Sequence, residues 1–332
     1  MQKADLVLEG GGVKGLGLVG AVLRLMREGY VFPRVAGASA GSIVAALLAA
    51  GATEADLAGA MGRLKYPRVP DLARPRIPGV TPLLSMVRKS GVYEGDYIHD
   101  FVARELKRLD VRTFADLRHT DPKADKNEKP YQRYKLVVMA TDVTKGRLLR
   151  FPWDYPQLHL DPDEQSVAEA VRASISIPFF FEPVTIHDGE TGEPTTLVDG
   201  GILSNFPIEI FDRTDGDEPR WPTLGIKVIP ALPVGSPELF PGLPRPRLAP
   251  LQLLERVLAT AIVGNDQTYL ERPCVKRRAI EVDTSAVGIV EFDADAAKRE
   301  AVVASGDDEA RRFLIDWDWE RYKRDCRGAN EE

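Results

Sequence analysis

Gly37-Ala38-Ser39-Ala40-Gly41 is the stretch on which the reading of this 332-residue chain turns. A short apolar run, Val35-Ala36, precedes it, and an alanine-rich run, Ile43–Ala50, follows. Strand, sharp turn and helix in that order form the layout of a nucleophile elbow. Gly37 and Gly41 suit a turn in which backbone must crowd past the serine, where a Cβ would clash. The following helix aims its unpaired N–H groups at Ser39. Taken alone, G-x-S-x-G also fits an ordinary small-residue turn, so the rest of the chain has to decide.

Working outward, Asp5–Leu8 reads as a short buried strand, Gly10-Gly11-Gly12 as a loop and Leu16–Arg27 as a helix. Further helices are expected over Asp56–Leu64, Gly95–Leu109, Ser166–Ser174, Leu251–Tyr269 and Asp295–Leu314. Strands are expected at Tyr134–Ala140, with Leu148–Phe151 as a hairpin partner, then at Thr195–Val198, Leu224–Ile229 and Ala279–Val282. Prolines interrupt residues 66–82 and 230–250, the charged run Asp121–Lys129 reads as a solvated loop, and the tail from Arg321 is polar. Strands alternating with helices predict an α/β fold with a mostly parallel central sheet covered on both faces.

Bulk properties narrow the function. A net charge of −6, with no basic block beyond Lys276-Arg277-Arg278, argues against nucleic acid as a partner. Two cysteines, Cys274 and Cys326, imply no disulfide framework, and a reducing cytoplasm is the simplest compartment. Lys3, Asp5 and Glu9 break any secretory signal at the N-terminus. The uncharged stretch Val35–Ala52 is long enough to raise the question of a membrane span. Its Ala and Gly content and its start inside the serine turn make it a strand end and a buried helix.

Three glycine-rich turns each follow an expected strand, and in a parallel sheet such turns gather at the carboxyl edge. Gly10-Gly11-Gly12-Val13-Lys14-Gly15 fits G-x-G-x-x-G, but no acidic residue closes the second strand, as a dinucleotide site requires. Nor does Ser or Thr follow Lys14, as a phosphate loop requires. The loop better suits an oxyanion hole, with backbone N–H groups at Gly11 and Gly12 and with Lys14 in support. Asp199, in Asp199-Gly200-Gly201, is the candidate base; an Asp-Gly turn with its carboxylate in solvent is the plainer alternative. His99, His119, His159 and His187 all lie away from glycine-flanked strand ends, which disfavours a Ser-His-Asp triad.

Together these residues resemble the patatin-like phospholipase family over roughly residues 5–212. Gly10–Gly15 looks like its oxyanion loop, Gly37–Gly41 its elbow and Asp199–Gly201 its aspartate motif. Ala173–Pro178 with Phe181-Glu182-Pro183, Asn205-Phe206-Pro207 and Ala140-Thr141-Asp142 also agree with it. The resemblance implies a three-layer α/β/α fold and a Ser39–Asp199 dyad with Gly10, Gly11 and Gly12 forming the oxyanion hole. Val13, Lys14, Gly15, Gly37, Gly41, Gly200 and Gly201 would support it. It further implies hydrolysis of lipid acyl esters through an acyl-enzyme, with no metal or cofactor and with transient contact at a membrane surface. Glu9 departs from the residue many members carry there, with little effect expected. Residues 213–332 are read as the remainder of the same domain with a helical extension. The apolar residues Leu83, Leu84, Met86, Val87, Leu239, Phe240 and Leu243 suit a lid or acyl groove or, equally, ordinary loop packing against the core. A general esterase, acyltransferase or peptidase on this scaffold, or a non-catalytic relative, is the competing reading.

Overall fold

The computed structural model describes residues 1–71, 91–121, 123–228, 260–261, 272–289 and 291–326. The lid candidates of residues 72–90 and 230–250 and nearly all of the helix expected at Leu251–Tyr269 lie outside them.

The strands are β1 (Gln2–Lys3), β2 (Asp5–Leu8), β3 (Tyr30–Val31), β4 (Val35–Gly37), β5 (Gly91–Tyr93) and β6 (Leu136–Asp142). They continue with β7 (Arg147–Phe151), β8 (Phe179–Phe181), β9 (Val184–His187), β10 (Pro194–Asp199), β11 (Thr223–Lys227) and β12 (Ala279–Glu281). The helices are α1 (Leu16–Arg27), α2 (Ser39–Ala49), α3 (Glu54–Arg63), α4 (Asp96–Arg108), α5 (Val167–Ser174), α6 (Pro273–Lys276), α7 (Ala296–Asp316) and α8 (Trp319–Cys326).

Strands β12, β11, β2, β4 and β6 lie side by side and parallel. Every residue of β2, β4 and β6 is buried, which is why Leu6–Leu8, Val35-Ala36 and Leu136–Ala140 read as continuous apolar runs rather than alternating ones. The chain is thus α/β with a central, mostly parallel sheet, as its alternating pattern predicts. One flank differs: β7, β9 and β10 run antiparallel to their neighbours. Residues beyond 213 add β11 and β12 to the same sheet, beside β2.

The helices start where local chemistry stops extended backbone. Thr53 and Asp56 exchange side-chain and backbone hydrogen bonds across the first turn of α3. Asp295 caps α7 by accepting the Lys298 N–H at 2.8 Å. Helix α1 packs on α7 so closely that a Cβ on Gly306 would come within 2.9 Å of Ala21 N. Arg24 seals that contact on Asp307 at 2.5 Å.

Two expectations fail at the C-terminus. Cys274 and Cys326 form a disulfide, 52 positions apart with Cα atoms 5.6 Å from each other. Two cysteines that far apart in sequence carry no signal of pairing; the fold supplies it. The compartment argument built on free cysteines therefore loses its premise. The bond ties α6 to α8, and the stretch read as a polar tail is instead a helix with Tyr322 buried.

Candidate active site

The register of β6 brings the elbow and the aspartate motif together. Val138 pairs with Gly37 on one edge and Phe151 on the other; Ala140 pairs with Asp199 and Leu149. Strand β7 occupies one edge throughout, so β4 and β10 share the opposite one, ending head to head. Gly37 and Asp199 are two residues apart along β6, about 7 Å at the usual rise per residue. Ser39, two residues beyond Gly37, reaches the level of Asp199.

The elbow is tight, and Ser39 has φ 45°, a left-handed conformation uncommon for a residue with a Cβ. A Cβ on Gly37 would sit 2.5 Å from Gly41 C, and one on Gly41 would sit 2.6 Å from Glu9 O. Helix α2 begins at the serine itself, several residues before the run Ile43–Ala50. Ser39 accordingly stands at a helix N-terminus with 6 % of its surface exposed.

Asp199 is 1 % exposed, so its carboxylate is not in solvent as a plain Asp-Gly turn would leave it. Oδ1 accepts the Gly201 N–H at 2.8 Å, while Oδ2 has no well-formed hydrogen bond. Burial pushes its pKa up to about 7, against the opposing effects of the neighbouring Ser39 hydroxyl and the Gly201 N–H. The serine side chain is thus close enough to stabilise the carboxylate, in a contact looser than a formed hydrogen bond.

The three loop glycines take different parts. Gly10 donates its N–H to Asn205 Oδ1 at 3.1 Å, and Asn205 Nδ2 returns a bond to Gly10 O at 3.2 Å. Gly10 is therefore a structural anchor pressed against Ser39, not a free oxyanion donor; its N–H is already used. The N–H groups of Gly11 and Gly12 have no hydrogen-bond acceptor among the described residues. Val13 donates to Ile289 O at 2.8 Å, which braces the loop from the C-terminal region. Lys14 is buried: burial lowers its pKa, and the carboxylates of Asp283 and Glu9 oppose that. Glu9, from which little was expected, accepts the Val228 N–H at 2.6 Å and ties the start of the loop to the end of β11.

Ser39 opens into an apolar cleft walled by Val13, Ile43, Ile98, Ile175, Ile177, Phe181 and Phe292. Gly12 and Gly15 line it as well, and no histidine does. His99 faces Glu169 at 3.2 Å, His159 pairs with Asp188 at 2.9 Å, and His119 lines a different cavity. That other cavity, about 410 Å³, lies among charged residues such as Asp5 and Arg34 at the start of β2. It is larger, but it contains neither Ser39 nor Asp199, and its charged walls suit no acyl chain.

The residues that hold the backbone of Ser39 and Asp199 were not visible as such in the sequence. Ser174 Oγ accepts the Ser39 N–H at 3.0 Å, and Ser176 O accepts the Asp199 N–H at 2.9 Å. Asn205 clamps the glycine loop. All three lie in the stretches Ala173–Pro178 and Asn205–Pro207, whose resemblance to the family was the one signal available.

Comparison with known proteins gives the chain's family and fold. The family model described as patatin-like phospholipase matches residues 6–212. The uncharacterized protein YqhO of Bacillus subtilis is 37% identical over 227 residues, covering 68% of this chain and 71% of its own length. An uncharacterized NTE family protein of Mycobacterium tuberculosis, Rv2565, is 29% identical over 89% of this chain, which spans only 44% of that protein. A protein of Invertebrate iridescent virus 6 named as a probable lipid hydrolase is 24% identical over 62% of this chain and 62% of its own. The crystal structure of VipD from Legionella pneumophila superposes with a TM-score of 0.51 at 20% identity, over 95% of this chain and 67% of VipD, a likeness of fold.

Proposed function

This chain belongs to the patatin-like phospholipase family, and from that premise we propose that it hydrolyses acyl esters of lipids with a Ser39–Asp199 dyad. The observation that carries the proposal is the buried aspartate beside the elbow serine, its pKa pushed up to about 7. A base with that value is partly ionised at neutral pH and still accepts a proton, the balance general-base catalysis needs.

In the proposed reaction Ser39 Oγ attacks the acyl carbonyl carbon and Asp199 takes the hydroxyl proton. Negative charge on the carbonyl oxygen meets the Gly11 and Gly12 N–H groups; losing one such donor typically costs about 100- to 1000-fold in kcat. As the tetrahedral adduct collapses, Asp199 gives its proton to the leaving alkoxide and the acyl group stays on Ser39. Water then attacks, Asp199 accepts its proton, and collapse returns that proton to Ser39 as the fatty acid departs. Every step uses groups of this chain.

The cleft beside Ser39 supports an acyl chain as the substrate's reacting part, because its walls present hydrocarbon. Lipid would be taken during transient contact with a membrane surface. Among the described residues no helix is long and apolar enough to cross a membrane. Residues 5–212 are proposed as the catalytic part, with 213–332 completing the same domain.

The test is product analysis by mass spectrometry on mixed phospholipid vesicles, together with fluorophosphonate labelling. Wild type releases fatty acid and is labelled at Ser39; Ser39→Ala and Asp199→Asn release none while retaining the fold. Turnover in Ser39→Ala overturns the proposal.

A further inference from the structure

Between α5 and β8 the chain does two things at once. Ile175 and Ile177 point into the cleft that holds Ser39. Their neighbours Ser174 and Ser176 are both fully buried. Ser174 Oγ takes the N–H of Ser39 at 3.0 Å, and the Ser176 carbonyl takes the N–H of Asp199 at 2.9 Å. Two residues of one segment thus hold the backbones of both members of the dyad.

The segment is itself clamped. The Arg172 guanidinium, 6 % exposed, donates to Ser176 Oγ at 2.6 Å, to Glu182 O at 2.9 Å and to Glu94 O. Ser176 Oγ in turn donates to Arg172 O at 2.9 Å. The two outer carbonyls stand just past the ends of β5 and β8, so the clamp fastens the segment to that small two-stranded sheet.

We propose that Arg172–Ile177 is a positioning strut that sets the separation of Ser39 and Asp199, with Ser174 as the residue that fixes the nucleophile. The strained φ of Ser39 persists only if its surroundings hold it. The Ser174 hydroxyl holds the peptide N–H of that residue, and no other acceptor for it is present among the described residues. Without it the Ser39 backbone relaxes, and the hydroxyl drifts from a carboxylate whose Oδ2 has no formed bond to hold it. Ser174 touches neither substrate nor reacting atoms; it acts through Ser39.

This inference rests on the dyad reading, and one experiment separates the two. Ser39→Ala, Ser174→Ala, Ser174→Cys and, as a control on the exposed side of α5, Glu169→Gln are compared. Active sites are counted by the end-point of fluorophosphonate labelling, so that misfolded molecules do not enter the rate. Ser174→Ala is expected to lose about 10- to 100-fold in kcat per labelled site, the range for one buried hydrogen bond. Its labelling rate falls by a similar factor, and KM for a short-chain ester stays within about twofold, since uniform binding is untouched. Ser174→Cys, with a weaker acceptor, lies between wild type and alanine. Glu169→Gln behaves as wild type.

A Ser174→Ala protein with wild-type kcat and labelling rate per site overturns the strut while leaving the dyad standing. A loss confined to KM does the same. Turnover by Ser39→Ala overturns the dyad first. If Ser174→Ala does not fold, the cysteine variant carries the test alone: wild-type kcat per labelled site refutes the strut, and a reduced kcat at unchanged KM supports it.

Discussion

Asp199→Asn should make the protein inactive and, above neutral pH, more stable. The two effects have one cause. In the folded chain burial raises the Asp199 pKa from 3.8 to about 7. Below pH 4 the carboxyl is protonated in both folded and unfolded chains and costs nothing. Between pH 4 and 7 the unfolded chain ionises it and the folded chain does not, so the unfolded state binds fewer protons and stability falls as pH rises. Above pH 7 both forms are ionised and the loss is complete. Three pH units at 1.36 kcal/mol each bound this contribution at about 4 kcal/mol. Asparagine cannot ionise, fills the same volume and keeps an oxygen for the Gly201 N–H, so it escapes the penalty. Urea unfolding of both proteins at pH 4.5 and pH 8 measures it. Asp5 and Glu128 are also raised by burial, so the difference between the two proteins, rather than the wild-type slope, is the quantity to read. The variant's advantage should grow by about 2 to 4 kcal/mol between the two pH values. A difference that does not change with pH refutes the account of Asp199 as a desolvated base. Wild-type turnover should run the opposite way, rising through about pH 7 to a plateau as the base ionises.

Further consequences follow from the same geometry. Asn205→Ala frees Gly10 from both of its side-chain bonds and should lower kcat about tenfold or more, measured per labelled active site, through a loosened glycine loop. Gly41→Ala places a Cβ against the backbone of Leu8 and Glu9, and thermal unfolding should show a loss of about 2 kcal/mol or more, or no folded protein. Reduction of Cys274–Cys326, or Cys326→Ser, should destabilise the oxidised protein by about 3 to 4 kcal/mol on the loop-entropy estimate for a 52-residue separation. A chemical denaturation midpoint unchanged by reductant would show that the packing of α8 suffices without the bond.

The sequence was most legible where backbone conformation itself demands a residue type. Gly37 and Gly41 are readable because only glycine lets the elbow close, and β2, β4 and β6 are readable because burial on both faces fills them with apolar residues apart from Asp5, Thr141 and Asp142 at their ends. The reversal of β10 against β6 was less legible, since periodicity does not carry strand direction, whereas β7 was readable as the hairpin partner of β6. Least legible were the side chains that serve the backbone of others. Ser174, Ser176 and Asn205 are ordinary small polar residues, and nothing in spacing tells which N–H each will meet. The disulfide belongs to the same group, because two lone cysteines gain meaning only when α6 and α8 are brought together.

The reversed strand is what sets Asp199 beside Ser39, the arrangement that the proposed dyad needs. In an all-parallel sheet, a side chain at the end of a neighbouring strand projects from the same edge as the elbow, displaced sideways by at least one strand spacing of about 4.8 Å. Here β10 runs towards β4 along the same edge of β6, so the two chain ends meet in line rather than side by side. The lateral displacement vanishes, and the remaining gap, two residues of β6, is closed by the two-residue step from Gly37 to Ser39. The placement of the base thus depends on the pairing of Asp199 with Ala140. A slip of one residue in that register would turn Asp199 to the other face of the sheet, away from Ser39.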